Sequence, residues 1–206
     1  MKIRRKYYDF FSKFYDKFIK LHSRDKNEKL RKFFVNQIKE KDEIKILDLC
    51  CGTGSNFIHF EKKFKHPFMV GIDFSYGMLS QAKTKNRNAF LILADIENLP
   101  FKNEIFDVST YTYAFYELKS EKVHNALSEI KRVLKSNGKL LIMEHEIPEN
   151  FFIKFLYYIR LASMGLSKAK MIISHEQELL SKYFSKVEKV LSKSKKSKIF
   201  ICLKKH

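Results

Sequence analysis

The sequence predicts an α/β fold: a seven-stranded, mostly parallel sheet with an antiparallel last strand and helices on both faces. Two observations carry the parallel part. Short apolar runs (IKILDL at 44–49, FMVGID at 68–73, AFLILAD at 89–95, FDVSTYT at 106–112 and GKLLIMEH at 138–145) largely lack the strict alternation of a sheet wetted on one side, as expected of strands buried on both faces. Helical stretches separate most of them, so the connections are crossovers rather than hairpins. A third observation sets the edge. Apolar runs at 187–191 and 199–203 flank the charged turn SKSKKSK (192–198), which reads as a solvated loop closing an antiparallel pair.

The helices follow from spacing. Tyr7, Phe10, Phe11, Phe14, Tyr15, Phe18 and Ile19 recur every three or four residues, so 5–21 is a helix with one aromatic face. That stripe reads as a packing face, with a lid over a ligand by Tyr15 and Asp16 as the alternative. Leu30, Phe33, Phe34 and Ile38 predict a second helix over 25–39. Ser75 caps a helix running to Lys85, and Ser120 caps one bearing Val123, Leu127, Ile130, Val133 and Leu134 that ends near Asn137-Gly138. FFIKFLYYIRLASMG (151–165) is a third aromatic helix. With Lys154, Arg160 and Lys168 beside its rings, it suits either an anionic membrane surface or a place over a substrate mouth. The chain divides into a helical cap (1–40), a core (44–146) and a helix plus terminal hairpin (148–206), all in one domain.

The chain has 206 residues, a 45% hydrophobic share and a mean hydropathy of −0.34, enough to bury a core without forming a membrane bundle. Its net charge of +18 invites acidic partners such as RNA or anionic lipid. Only 7 of its 41 cations are Arg, the residue suited to bidentate phosphate recognition, which makes nucleic acid the weaker of the two. Cys50 and Cys51 are adjacent and Cys202 is remote, so no disulfide framework is implied and a cytoplasmic setting fits. The basic opening is broken by charges every few residues, unlike a secretory leader, and no run of 18 apolar residues exists; any membrane contact is expected to be peripheral.

The strongest local signal is Leu47-Asp48-Leu49-Cys50-Cys51-Gly52-Thr53-Gly54-Ser55, a small-residue turn between the first strand and a helix. In an open parallel sheet, ligands sit at the carboxyl ends of strands. Gly52 and Gly54 allow positive φ and close backbone approach. A dinucleotide site would want a third glycine where Phe57 stands, which disfavours a pyrophosphate cofactor. Asp73 and Asp95 end the next two strands. With Asp48 they line one rim with carboxylates, suited to a cationic, hydroxyl-rich ligand such as S-adenosylmethionine. No metal site is read.

These segments resemble a known family. LDLCCGTGS is similar to the LDLGCGTG first motif of class I S-adenosylmethionine-dependent methyltransferases, and GIDFSYGML to their second. ADIENLPF, EIFDVSTYTYAF and RVLKSNGKLLIMEHE resemble the later motifs, so the likeness spans 44–146. In style it is nearest the ubiquinone/menaquinone biosynthesis C-methyltransferases and related small-molecule or lipid methyltransferases. The resemblance implies a Rossmann-like class I methyltransferase fold and S-adenosyl-L-methionine as cofactor, with S-adenosyl-L-homocysteine as product. It implies that the turn (Asp48, Cys50, Cys51, Gly52, Thr53, Gly54) holds the methionine part and Asp73 the ribose. Phe74 then borders the adenine, Asp95 and the Ile96 amide meet its edge, and Met78 and Tyr111 complete the contacts. Two departures stand out: Cys50 replaces a glycine, implying that no positive φ is needed there, and Ser136-Asn137-Gly138 replaces Pro-Gly-Gly.

Methyl transfer to an acceptor is an in-line displacement, so positioning and water exclusion supply much of the catalysis. Thr110, Tyr111, Thr112, Tyr113, Phe115, Tyr116 and Glu117 read as an aromatic wall past the fourth strand, and the Asn/Asp-Pro-Pro-aromatic tetrapeptide of amino-methylating nucleic-acid enzymes is absent there. Glu144 and His145, with Tyr113, are the acid–base candidates, a structural hydrogen-bonding role for His145 being the alternative. The expected acceptor is a small aromatic, quinone-like or lipid-like molecule. An RNA or protein methyltransferase and a non-catalytic S-adenosylmethionine-binding module are the alternatives.

Overall fold

A computed structural model describes residues 2–22, 28–115, 118, 120–147, 149–163, 169–195 and 197–204. In chain order the elements are α1 (Lys2–His22), α2 (Lys29–Asn36), β1 (Glu43–Leu49), α3 (Phe57–Lys63), β2 (His66–Asp73), α4 (Tyr76–Lys85), β3 (Phe90–Leu93), β4 (Phe106–Thr112), α5 (Ser120–Val133), β5 (Leu134–His145), α6 (Phe151–Ser163), α7 (Ala169–Ser181), β6 (Phe184–Leu191) and β7 (Ser197–Lys204). The strands form one seven-stranded sheet in the order β3-β2-β1-β4-β5-β7-β6. β3, β2, β1, β4 and β5 run parallel, and β7 pairs antiparallel with both β5 and β6.

Both faces of the sheet are covered, and the pleat sorts alternate residues between them. Leu47, Leu49, Val70, Ile72, Leu140 and Ile142 pack beneath Leu127 and Ile130 of α5 and Leu180 of α7. Ile44, Ile46, Met69, Val108, Leu141 and Met143 face Phe34 and Val35 of α2 and Phe57 and Phe60 of α3. This two-sided burial is why the strands read as continuous apolar runs.

Several expectations are corrected. α2 is shorter than 25–39: its described part stops at Asn36, and residues 25–27 lie outside the described residues. Lys63 of α3 donates to the carbonyls of Val35 and Ile38 and so satisfies the free carbonyl end there. α5 ends at Val133 rather than near Gly138, because β5 begins at Leu134 and the register slips between the Phe106–Leu134 and Val108–Lys139 pairs. The cap expected from Ser120, the cations expected of Arg160 and Lys168, and Tyr116 and Glu117 of the aromatic wall fall outside the described side chains. α7 is absent from the sequence reading. It carries Glu176, which pairs with Lys198 of β7, both nearly inaccessible.

The largest correction concerns α1. Its aromatic stripe packs only in part: Phe11, Tyr15 and Ile19 are half-buried, and the rest turns outward. Tyr7, Phe10 and Phe14 are 58%, 71% and 53% exposed, and the helix docks through the opposite, polar side. Asp9 Oδ1 accepts from Ser75 Oγ at 2.6 Å and from the Gly77 amide at 2.9 Å, and Asp16 Oδ1 accepts from Thr53 Oγ1 at 2.6 Å. Gly77 permits this: a Cβ there would lie 2.6 Å from the Asp9 carbonyl oxygen. A carboxylate from one helix thus completes the N-terminal cap of another, where the helix dipole favours negative charge.

Candidate active site at the carboxyl rim of the sheet

The strand order reverses between β1 and β4, and in an open parallel sheet that switch point opens a crevice at the carboxyl ends of the strands. The turn 50–55 lies there. Its chain reverses through three left-handed residues, Cys50 (φ 51°), Gly52 (φ 55°) and Gly54 (φ 73°). Cys50 therefore does adopt positive φ, contrary to expectation. The reversal lets the Cys51 amide reach the Ile72 carbonyl and the Gly54 amide the Cys51 carbonyl, both at 2.9 Å, and the cysteine carries about 1–2 kcal/mol of backbone strain. Cys50 Sγ lies 3.7 Å from the Tyr111 hydroxyl.

The two glycines do different things. A Cβ on Gly52 would meet nothing within 4 Å, so its backbone is open to a ligand. A Cβ on Gly54 would come 2.5 Å from Asn86 Nδ2, which donates to the Gly54 carbonyl at 3.2 Å and locks the turn onto the end of α4. Gly71 of β2 lies under the turn, where a Cβ would stand 2.7 Å from the Phe57 ring and 2.9 Å from Cys51 Sγ. Burial pushes the Cys51 thiol well up, which keeps it neutral and inert.

The three strand-end acids separate into distinct roles. Asp73 braces both loops, one oxygen accepting the Gly52 amide and the other the Ser75 amide, each at 2.9 Å. Asp95 is half-buried just past β3 and accepts from the Glu97 amide. Asp48 is not on the open rim. It is 1% exposed inside β1, where Thr110 Oγ1 donates to it at 2.7 Å and Asn56 Nδ2 at 3.1 and 3.2 Å. Burial raises its carboxyl to about 6, against the lowering pull of those two donors and of Arg31; the Asp73 charge adds to the rise. Asn56 also accepts from Arg31 at 2.6 Å, so a chain of groups runs from α2 through α3 to β1 and β4. Arg31, Asn56 and Asn86 were missed in the sequence, and only the small-residue turn beside them signalled a site.

Other expected contacts lie deeper. Met78, Ile96 and Tyr111 are buried, and Tyr111 packs edge-to-face on Phe115 and donates to the Ala114 carbonyl. Phe115 is also core, and Thr110, Tyr111 and Thr112 belong to β4 itself, so among the described residues Tyr113 is what remains of the aromatic wall at this rim. Phe74 is half-buried beneath α1, with Tyr8 edge-on at 5.6 Å and the Arg4 guanidinium 5.8 Å from its ring. Thr53 is buried by its bond to Asp16.

On the far side of the switch point, Glu144 and His145 face opposite ways, as neighbours on a strand must. Glu144 is 2% exposed and its Oε1 accepts the Phe115 amide at 2.8 Å, which ties it to the loop after β4. His145 is exposed, and its ring lies 4.7 Å from that of Tyr113. Tyr113 is held at φ 54°, with its hydroxyl 3.1 Å from Ser197 Oγ. Surface clefts of about 680 and 630 Å³, near Arg132 and Lys204 and near His66 and Phe68, open at the amino ends of the strands, away from this rim.

The donor set suits S-adenosylmethionine: an open glycine backbone, buried carboxylates and no phosphate-binding third glycine, since Phe57 is fully buried core. Residues 46–138 match the Methyltransferase domain family. The demethylmenaquinone methyltransferase of Thermotoga maritima is 34% identical over 130 residues, covering 63% of this chain and 56% of that protein. The ubiquinone/menaquinone biosynthesis C-methyltransferase UbiE of Campylobacter jejuni is 30% identical over 169 residues, covering 73% of this chain and 68% of that protein. The fold matches a SAM-dependent methyltransferase from Aquifex aeolicus at a TM-score of 0.60 and 16% identity, over 87% of this chain and 94% of that one. The chain spans roughly half to two thirds of the length of the curated relatives it matches. With the motif turn at the switch point and these relatives, the chain belongs to the class I S-adenosylmethionine-dependent methyltransferases, in the family of the ubiquinone/menaquinone biosynthesis C-methyltransferases.

Proposed function

We propose that the protein is an S-adenosylmethionine-dependent methyltransferase acting on a quinone-like or related lipid-like acceptor. The observation that carries this is the brace made by Asp73, one carboxylate holding the amides of both Gly52 and Ser75 at the switch point. The names of the relatives support the acceptor class. S-adenosylmethionine supplies a methyl group on a positively charged sulfur, already activated for displacement. The chain's own part is to bind, orient and exclude water. The Gly52–Gly54 backbone and Asp73 hold the cofactor, Asp95 meets its adenine edge, and α1 closes the rim above them. On the other side His145, its ring tilted against that of Tyr113, takes a hydroxyl proton from the acceptor.

Calorimetry with S-adenosylmethionine and S-adenosylhomocysteine tests the reading: both should bind, Asp73→Ala should lose at least tenfold in affinity, and no binding of either would refute it. His145→Ala should lower turnover on a quinol acceptor about a hundredfold without changing cofactor affinity. A second reading, RNA methylation, draws on the net charge of +18. It requires tRNA or rRNA binding that falls steeply with salt together with methyl incorporation.

A further inference from the structure

We propose that α1 seats the protein on an anionic bilayer, its outward aromatic face entering the headgroup region so that the carboxyl rim of the sheet faces the lipid. This rests on the reading above that the acceptor is lipid-like, and gives that acceptor its route.

The two sides of α1 are the argument. Asp9 and Asp16 hold the helix to the rim through Ser75, Gly77 and Thr53, and buried Ser12 lies between them on the same face, its hydroxyl donating to the Asp9 carbonyl. Tyr7, Phe10, Phe14 and Phe18, with the same spacing on the opposite side, are 43–71% exposed. A helix that spends its polar stripe inward and turns phenyl rings to solvent is the reverse of an ordinary surface helix. Lys6, Lys13 and Lys17 are exposed along the edge of that face.

Charge selects the occupant. α1 carries seven cations and two carboxylates, and both carboxylates are used: Asp9 by Ser75 and Gly77, Asp16 by Thr53 and Lys85. The outward face is therefore apolar and cationic, the composition of a helix lying in an anionic interface, and unsuited to pairing with its own copy. α6 begins a short loop beyond the rim end of β5 and also turns rings outward, Phe151, Phe152 and Phe155 being 85%, 66% and 56% exposed. No described helix is long and apolar enough to cross a membrane, so these faces lie on the surface rather than span it.

The test is vesicle flotation of the full chain without cofactor, using phosphatidylglycerol/phosphatidylcholine vesicles against pure phosphatidylcholine. Binding should require the anionic lipid and weaken with salt. Phe10→Ser/Phe14→Ser should lower partitioning at least tenfold, since each buried phenyl is worth about a factor of ten or more. Lys13→Glu/Lys17→Glu should lower it by at least tenfold through charge. Phe10 and Phe14 lie opposite the docking stripe and Lys13 and Lys17 are exposed at the edge between the two faces, so circular dichroism and S-adenosylmethionine affinity should match the parent; that affinity reports separately on the methyltransferase reading. Equal binding to neutral vesicles, no binding, loss only on Phe151→Ser/Phe155→Ser, or a dimer in sedimentation that Phe10→Ser/Phe14→Ser dissolves would each overturn the proposal.

Discussion

The two halves of the carboxyl rim are built differently. At β1 and β2 the site is backbone held by buried carboxylates: Asp48 ties β1 to β4 and α3, Asp73 ties the two loops, and Asn86 pins Gly54. At β4, β5 and β7 it is side chains, exposed His145 against half-buried Tyr113, whose hydroxyl meets buried Ser197, with Glu144 anchoring the loop after β4. A preorganised half suits a ligand that every turnover shares, and an open half suits an acceptor that enters and leaves. Under the proposed function, the contrast teaches that positioning of the cofactor would be a property of the core and selection of the acceptor a property of the edge.

Breaking the first half should cost most. Gly54→Ala puts a methyl 2.5 Å from Asn86 Nδ2 at a left-handed position, and is expected to lose about 2–4 kcal/mol in urea unfolding together with cofactor binding. Asp48 gives a pH signature. Its carboxyl is near 6 in the fold and near 3.9 in the unfolded chain, so the folded state holds the extra proton between those values. Its contribution to stability is therefore greatest below about pH 4 and declines as pH rises through 6. Relative to the parent, Asp48→Asn should gain about 3 kcal/mol between about pH 4 and about pH 7.5 in denaturant unfolding, while remaining less stable at the acid end because a buried acceptor is replaced.

Smaller effects sharpen the comparison. Thr53→Val removes the hydroxyl that Asp16 accepts, and should raise the hydrogen-exchange rate of α1 amides by a factor corresponding to about 1 kcal/mol, leaving the sheet unchanged. Glu144→Gln keeps an acceptor for the Phe115 amide and should change stability and turnover by less than about 1 kcal/mol. A loss as large as that of His145→Ala would move the acid–base role back to Glu144.

Much of the first half could be read from residue types. LDLCCGTGS and the aspartates after FMVGI and LILA announce a glycine turn and strand-end acids, because positive φ and parallel-strand burial leave few alternatives. What could not be read was which acid faces a ligand: Asp48 and Asp73 look alike in sequence, and the donors that bury one, Asn56 and Thr110, are 8 and 62 residues away. The second half was less legible for a simpler reason. Glu144 and His145 are neighbours, and the pleat sends them to opposite faces. α7 was missed although Leu179 and Leu180 and their flanks are helix-compatible, because its partner Lys198 lies on the last strand.

The sequence by itself determined the period of each element, the parallel core with its terminal antiparallel pair and the family of the turn, since local sterics and apolar spacing act over a few residues. Only the tertiary structure decided which way α1 faces. Its aromatic stripe and its Asp9–Ser12–Asp16 stripe are both legible, but the choice rests on Ser75, Gly77 and Thr53, which the fold alone brings beneath the helix to hold its acids and leave Tyr7, Phe10, Phe14 and Phe18 outside.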